Sequence, residues 1–225
     1  MHALVTGANR GIGLGLVRQL AARGDTVHAA VRDPDAATEL RTVAGVTVHR
    51  LDVTDDASVA ALARALGDTP LDLVINNAGV YGGDQQSVRG VDFRDAMHTY
   101  QVNGLGALRV SLAVLPHLKR GSGRKLAHIT SGMGSIADNS SGGYYAYRMS
   151  KAALNMMSRS LAVDLRGDKI ISVVINPGWV QTDMGGATAP TPVATSVAGI
   201  LRALDAATLA DSGEFLDYKG GRYPW

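Results

Sequence analysis

His2-Ala3-Leu4-Val5-Thr6-Gly7-Ala8-Asn9-Arg10-Gly11-Ile12-Gly13 is the stretch that decides how this chain folds. Its apolar run ends at Thr6, glycines stand at positions 7, 11 and 13, and residues 14–22 continue as a helix-forming segment. Strand, tight glycine turn and helix follow one another. Glycine tolerates the backbone angles of such a turn and lets a ligand come close to the main chain. The unpaired N–H groups and positive end of the following helix favour a phosphate there. The spacing is Gly-x-x-x-Gly-x-Gly, which differs from the Gly-x-Gly-x-x-Gly dinucleotide fingerprint. Three glycines alone would also suit an ordinary turn. At the first strand–helix junction of an α/β chain, a phosphate cradle is the better reading.

Outward from this unit, strand-like and helix-like runs alternate. Strands are expected near residues 3–6, 26–31, 46–51, 71–76, 125–130, 170–175 and 214–217. Helices are expected near 11–23, 34–43, 55–66, 92–119, 145–165 and 192–205. Such alternation predicts an α/β fold, a doubly wound, mostly parallel seven-stranded sheet with helices on both faces. Asp33-Pro34 and Thr54-Asp55-Asp56 offer N-caps, with Pro34 at a first helical position. No repeat or composition break marks a boundary, so one domain over residues 1–225 is expected. Residues 82–90 and 185–192 read as exposed loops after strands, at the sheet edge where ligands bind in such folds.

Composition narrows the function classes. A chain of 225 residues, 46% hydrophobic and 19% charged, has the make-up of an ordinary soluble globule. The absence of cysteine excludes disulfides and thiolate chemistry. A net charge of +2 without a basic stripe gives no case for nucleic acid. No apolar run is long enough to span a bilayer. The first strand starts almost at Met1, which leaves no room for a signal peptide, so a cytoplasmic protein is expected. His2, His28, His49, His98, His117 and His128 are scattered without ligand-like spacing, and no metal is expected. A serine-hydrolase elbow is also missing.

Tyr147 and Lys151 lie four residues apart in an Ala-rich, helix-forming run, which puts a phenol and an ammonium on one helix face. A phenol alone is a reluctant acid, with a pKa near ~10, and a nearby positive charge lowers it. By itself the pair could be two unrelated side chains.

Thr6-Gly7-Ala8-Asn9-Arg10-Gly11-Ile12-Gly13, Asn76-Asn77-Ala78-Gly79 and Tyr147-x-x-x-Lys151, in this order, resemble the short-chain dehydrogenase/reductase family. Asp52-Val53, Asn103 ahead of Pro116, Ile129-Thr130-Ser131 and Asn176-Pro177-Gly178-Trp179-Val180-Gln181-Thr182 agree with it. The resemblance covers essentially the whole chain. Residues 145–155 and 176–179 are further similar to the C-factor/Sniffer-like branch, neighbours of the carbonyl reductases. It implies a single-domain Rossmann fold that binds a nicotinamide dinucleotide. Gly7, Asn9, Arg10, Gly11, Ile12 and Gly13 would then cradle the pyrophosphate, and Asp52 and Val53 would flank the adenine. The segment from Asn76 to Gly79, including Asn77 and Ala78, would wall the groove. Pro177, Gly178, Val180 and Thr182 would contact the nicotinamide end.

The second strand discriminates the cofactors. NAD-binding members place a carboxylate at its end, for the ribose hydroxyls; here Val31 is followed by Arg32. A 2′-phosphate carries roughly −1.5 to −2 charges, and Arg32, with Arg10 reaching the same group, would bind it. NADP(H) is therefore expected over NAD(H), although Asp33 could instead neutralise Arg32.

The implied chemistry is reduction of a carbonyl to an alcohol by hydride transfer. Tyr147 would be the general acid, and Lys151 would lower its pKa and hold the nicotinamide ribose. Ser131 would bind the substrate oxygen, and Asn103 would anchor a proton-relaying water. Ser135 lies closer to Tyr147, but Ser131 ends the strand-like run. Gly132, Met133, Asn139, Tyr144, Trp179 and Met184 suggest a mostly apolar pocket for a hydrophobic or aromatic ketone, aldehyde or quinone. Family members commonly pair through the helices near 92–119 and 145–165, so a homodimer or homotetramer is expected. The competing readings are a non-catalytic NADP(H)-binding signalling protein and an NAD-dependent alcohol dehydrogenase.

Overall fold

A strand that is apolar on both faces needs cover on both faces, and parallel sheets supply it through their crossover helices. In the computed structural model, which describes residues 1–225, β1 (His2–Thr6) is such a strand: Ala3, Leu4 and Val5 are fully buried. The chain continues through α1 (Gly11–Ala22), β2 (Thr26–Val31), α2 (Thr38–Arg41), β3 (Val46–Arg50), α3 (Asp56–Leu66) and β4 (Leu73–Asn76). A short hairpin, β5 (Gln86–Ser87) and β6 (Gly90–Val91), precedes α4 (Phe93–Tyr100). Then come a π-helical turn (Gln101–Gly106), α5 (Ala107–Ala113), α6 (Leu115–Arg120), β7 (Lys125–Ile129), α7 (Tyr145–Asp164), β8 (Ile171–Asn176), α8 (Val193–Ala206) and β9 (Phe215–Asp217).

The sheet order is β3-β2-β1-β4-β7-β8-β9, and every pairing in it is parallel. This is the doubly wound Rossmann arrangement. One core lies under α1 and α8, where Leu16, Val17 and Leu20 meet Val197, Ile200 and Leu201. Gly15 lets these helices touch, since a Cβ there would lie 2.9 Å from both Val193 and Val197. The other core lies under α3, α5 and α7, around Leu62, Val110 and Leu161. No helix is long and apolar enough to cross a membrane.

Three expectations change. The helix expected over 34–43 shrinks to Thr38–Arg41, because the Asp33 carboxylate accepts from the N–H groups of Asp35 and Ala36. That local bond offers the backbone a turn in place of a helix. The long helix over 92–119 breaks twice. Gly106 packs so tightly on Val53 that a Cβ would lie 2.7 Å away, within the π turn, and Pro116 follows the break at Val114. The 82–90 loop contains the β5–β6 hairpin, with Gln86 buried.

The parallel register also gathers histidines that looked scattered. His28 Nδ1 lies 3.0 Å from His49 Nε2, and the His2 ring stacks on His28. Burial, aided by His49, His2 and His117, lowers His28 to about 4. Burial, with Lys151 nearby, lowers His128 to about 3. Both imidazoles are therefore neutral in the fold, while in the unfolded chain they take up protons near 6.5. Between those values the unfolded state binds more protons, so stability falls as pH falls. The melting temperature followed by circular dichroism is expected to drop below about pH 6.5 and keep dropping towards pH 4. A flat profile over that window would contradict this origin of acid sensitivity.

Candidate active site

The strand connections reverse direction between β1 and β4, and the carboxyl ends of these strands open a crevice there. Thr6 pins its two walls together: its Oγ1 accepts from the N–H groups of Asn77 and Ala78, each at 3.0 Å. The Asn77 amide returns bonds of 3.0 Å to the carbonyls of Thr6 and Gly7. Gly7 has φ +62°, and a Cβ there would lie 2.8 Å from the Ala78 Cα. A Cβ on Gly13 would lie 2.2 Å from the Gly7 oxygen. Glycine is thus required on steric grounds at both ends of the turn. Arg10 occupies the N-cap of α1 without a side-chain bond to its N–H groups, and no acidic residue sits in the first turn. That leaves a helix N-terminus suited to an anion.

The crevice is a cleft of about 1290 Å³. Gly7, Asn9, Arg10, Gly11, Ile12, Gly13, Arg32, Asp52 and Val53 line one end. Asn77, Ala78, Gly79, Pro177, Gly178, Val180, Thr182, Ser131, Tyr147 and Lys151 line it too, with Thr182 against Gly11 of the glycine turn, where a Cβ would lie 3.1 Å from its methyl. Asn76 does not face it. Its amide bonds Ser111 at 3.0 Å and faces His128 Nδ1 at 3.2 Å in the buried interior.

At the end of β2, Arg32 takes part in no ion pair. Asp33 does not neutralise it, since the Asp33 carboxylate is held by the turn at Asp35 and Ala36. Asp52 binds the hydroxyl (2.6 Å) and N–H (2.8 Å) of Thr54, which, with a contribution from Arg32, lower its pKa. It does not cap α3; Asp55 does, through the N–H groups of Ala57 and Ser58. Arg10 also lines the cleft, and its guanidinium donates to Asp183 at 2.8 Å in an exposed ion pair that bridges the glycine turn and the segment after β8.

The catalytic candidates meet on α7. Gly142, Gly143 and Tyr144 all have left-handed backbone angles, turning the chain sharply into this helix. Tyr147 and Lys151 follow one turn apart, both buried. Lys151 Nζ donates to the Ile129 carbonyl at 2.8 Å and stands 5.7 Å from the Tyr147 ring centroid. Ser131, two residues beyond Ile129, has its hydroxyl accepting from the Met133 N–H at 3.1 Å and lies near enough to the Tyr147 phenol to favour its ionised form. Ser135 is buried and turned into its own loop, accepting from the Asp138 N–H.

Burial decides the charges. It pushes Tyr147 up to about 12, against the Ser131 hydrogen bond that pulls it down. It lowers Lys151 to about 8. The phenol is therefore firmly protonated at neutral pH and the lysine still mostly cationic. The expected lowering of the phenol's pKa is not met in the ligand-free site: desolvation is the largest cause and raises it.

Asn103 lies in the π turn behind the cleft wall. Its amide bonds both the N–H and the carbonyl of Val80, each at 2.8 Å, and donates to Ser150 at 2.9 Å. Both amide hydrogens are used, and Oδ1 keeps one acceptor site. Gly79 brings the two groups together: a Cβ there would lie 3.3 Å from Asn103 Oδ1 and 3.6 Å from Lys151 Nζ.

Among the pocket candidates, Gly132, Met133, Tyr144, Trp179 and Met184 line the cleft, whereas Asn139 does not; its Oδ1 accepts from the Gly142 N–H. Sequence reasoning missed Tyr81, whose ring lies 4.9 Å from that of Tyr147, and Gln86, Asp138 and Tyr223. None belongs to a local pattern. Each reaches the site by tertiary folding.

A family model described as short chain dehydrogenase matches residues 1–192. The C-signal protein of Myxococcus xanthus is 51% identical over 165 residues, 73% of this chain and 99% of that protein. An NADPH-bound carbonyl reductase from chicken fatty liver superposes with a TM-score of 0.93 at 37% identity, covering 100% of this chain and 98% of that one. Carbonyl reductase Sniffer of D. melanogaster gives 0.91 at 33% identity, covering 100% and 99%. The chain belongs to the short-chain dehydrogenase/reductase family, within its carbonyl reductase and Sniffer-like branch.

Proposed function

We propose that this protein is an NADPH-dependent oxidoreductase that reduces a ketone, aldehyde or quinone to the alcohol, with Tyr147 as general acid. The observation that carries the reading is the convergence of a protonated phenol, a serine hydroxyl and a buried lysine in a cleft that begins at a glycine cradle. NADPH is the bound ligand of the similar chicken reductase. The uncapped α1 N-terminus and the close glycines suit its pyrophosphate. Arg32, free of ion pairs, suits the 2′-phosphate, and Lys151, which lines the same cleft, suits a ribose hydroxyl. The bound nicotinamide supplies the hydride.

The chain's own residues do the rest. Ser131 and Tyr147 donate hydrogen bonds to the substrate oxygen, polarising the carbonyl and holding it where charge develops. Tyr147 then gives that oxygen its proton. Deprotonating a buried phenol is costly, so the Lys151 cation must be present when the proton leaves. Gln86 holds the acid in place. Its Oε1 accepts from the Tyr147 N–H at 2.9 Å, one of the unpaired donors in the first turn of α7. Its amide nitrogen binds the carbonyls of Tyr81 and Gly83, at 2.9 and 2.8 Å.

We also propose that the chain self-associates through α4 and α7. Met149, Met156 and Val163 recur every seven residues on α7 and are 65–68% exposed, beside Phe93 and Met97 of α4. An apolar stripe of this kind marks an interaction surface.

Tyr147→Phe is expected to lower turnover on the order of 10²–10⁴-fold with NADPH affinity nearly unchanged; unaltered turnover would remove Tyr147 from the chemistry. Arg32→Ala is expected to weaken NADPH about 10–100-fold and NADH little, measured by fluorescence titration, and equal losses would refute the phosphate role. In reduction, kcat/KM is expected to fall as pH rises through about 8, where Lys151 loses its proton; a rate constant to pH 10 would contradict this. Gln86→Leu is expected to destabilise the fold by about 1–3 kcal/mol and to lower kcat more than it changes cofactor affinity. A variant with unchanged melting temperature and kcat would show that the bond positions nothing.

A further inference from the structure

We infer that Asp138 and Tyr223 form a second polar anchor of the substrate pocket, an acceptor pair that takes a hydrogen-bond donor carried by the substrate away from its reacting carbonyl. This rests on the carbonyl-reduction reading and narrows its substrate class to carbonyl compounds bearing a hydroxyl or amino group.

The last residues of the chain do not trail away from the sheet. Beyond β9, Arg222 bridges back to Leu216, the Tyr223 N–H donates to the Phe215 carbonyl at 2.7 Å, and the rings of Tyr223 and Trp225 pack on Phe215. The end then reaches the loop that carries Ser131. The Trp225 carbonyl accepts from the Ala137 N–H at 2.8 Å, and the Tyr223 hydroxyl donates to Asp138 Oδ2 at 2.6 Å. A second tie runs from Asp217 through the Asn176 amide to the Gly132 N–H, at 2.8 and 3.1 Å.

Both members of the pair line the cleft. The Tyr223 hydroxyl sits against Gly132, the residue after Ser131, in space that a side chain there would take: a Cβ would lie 2.5 Å from it. Asp138 belongs to no ion pair, and its second carboxylate oxygen accepts no bond from the protein. The bond to Asp138 raises Tyr223 to about 12, so the phenol keeps its proton and keeps donating it to the carboxylate. What the pair offers a ligand is therefore acceptors alone: a carboxylate oxygen and the lone pairs of a phenol.

The pocket is thus polarised. Ser131 and Tyr147 present donors to a carbonyl oxygen, while Asp138 and Tyr223 present acceptors close by. Met133, Tyr144, Trp179 and Met184 supply apolar surface between them. A purely hydrocarbon substituent against the pair would strip water from a carboxylate without replacing its hydrogen bonds. A hydroxyl or amino group would replace them.

The test compares an aryl ketone bearing a ring hydroxyl, in its ortho, meta and para forms, with the matching O-methyl ethers. In the unaltered protein with NADPH, at least one hydroxyl ketone is expected to exceed its ether about tenfold in kcat/KM, mainly through KM. Asp138→Ala and Tyr223→Phe are each expected to bring that ratio close to one. Absence of preference in the unaltered protein, or a preference that survives both substitutions, would overturn the anchor. Equilibrium binding of the same ketones to the NADP+ complex, read by tryptophan fluorescence, measures the preference without turnover. Preferential binding with no turnover would defeat the activity reading and leave the anchor standing. Turnover without preference would do the reverse.

Discussion

The ammonium of Lys151 on the main-chain oxygen of Ile129 is the contact on which the site depends. It fastens α7 to the carboxyl end of β7, and two consequences follow from geometry alone. Tyr147, one helical turn earlier, is carried over the same strand end. Ser131, two residues past Ile129, is brought against the phenol. A buried cation is costly unless its donors are matched, and here a carbonyl at the rim of the sheet matches one of them. The remaining donors face the cleft, beside Gly79 and the Asn103 amide.

Around that contact the fold sets the chemistry by exclusion of water. Desolvation holds the phenol as an acid and lowers the lysine towards neutral pH, so the two groups differ in charge although both are buried. Apart from the Lys151 ammonium, 5.7 Å from its ring centroid, the groups next to Tyr147 are neutral: Ser131, Tyr81 and the amide of Gln86. The π turn at Asn103 serves the same arrangement from behind. Its amide spans both polar groups of Val80, which fixes the strand-to-helix segment that forms the opposite wall.

Much of this was legible in the sequence, for reasons that differ by residue. The glycine turn was readable because its backbone demand is local: Gly7 and Gly11 have positive φ, and Gly13 packs on the Gly7 carbonyl. Tyr147 and Lys151 were readable because helical spacing alone puts them on one face. The inner parallel strands were readable because strands buried on both faces are continuous apolar runs. Other features depend on tertiary contact. Gln86 meets Tyr147 across 61 positions and Tyr223 meets Asp138 across 85, and no window of sequence contains either pair. The stacked histidines followed from strand register, which composition does not reveal. The shortened α2 turned on a single carboxylate, Asp33, choosing a turn over a helix cap. The ion pair between Arg10 and Asp183 joins positions far apart in the chain and so has no sequence signal either.

The central claim is that this cleft places a carbonyl carbon against the C4 position of a nicotinamide while Tyr147 protonates the oxygen. The most direct measurement uses NADPH deuterated at both C4 positions, incubated with the protein and an aryl ketone, with the product analysed by mass spectrometry and NMR. One deuterium on the carbinol carbon, and none elsewhere, is the predicted result. An alcohol formed without the label, or no alcohol from any ketone, aldehyde or quinone supplied, would contradict the account.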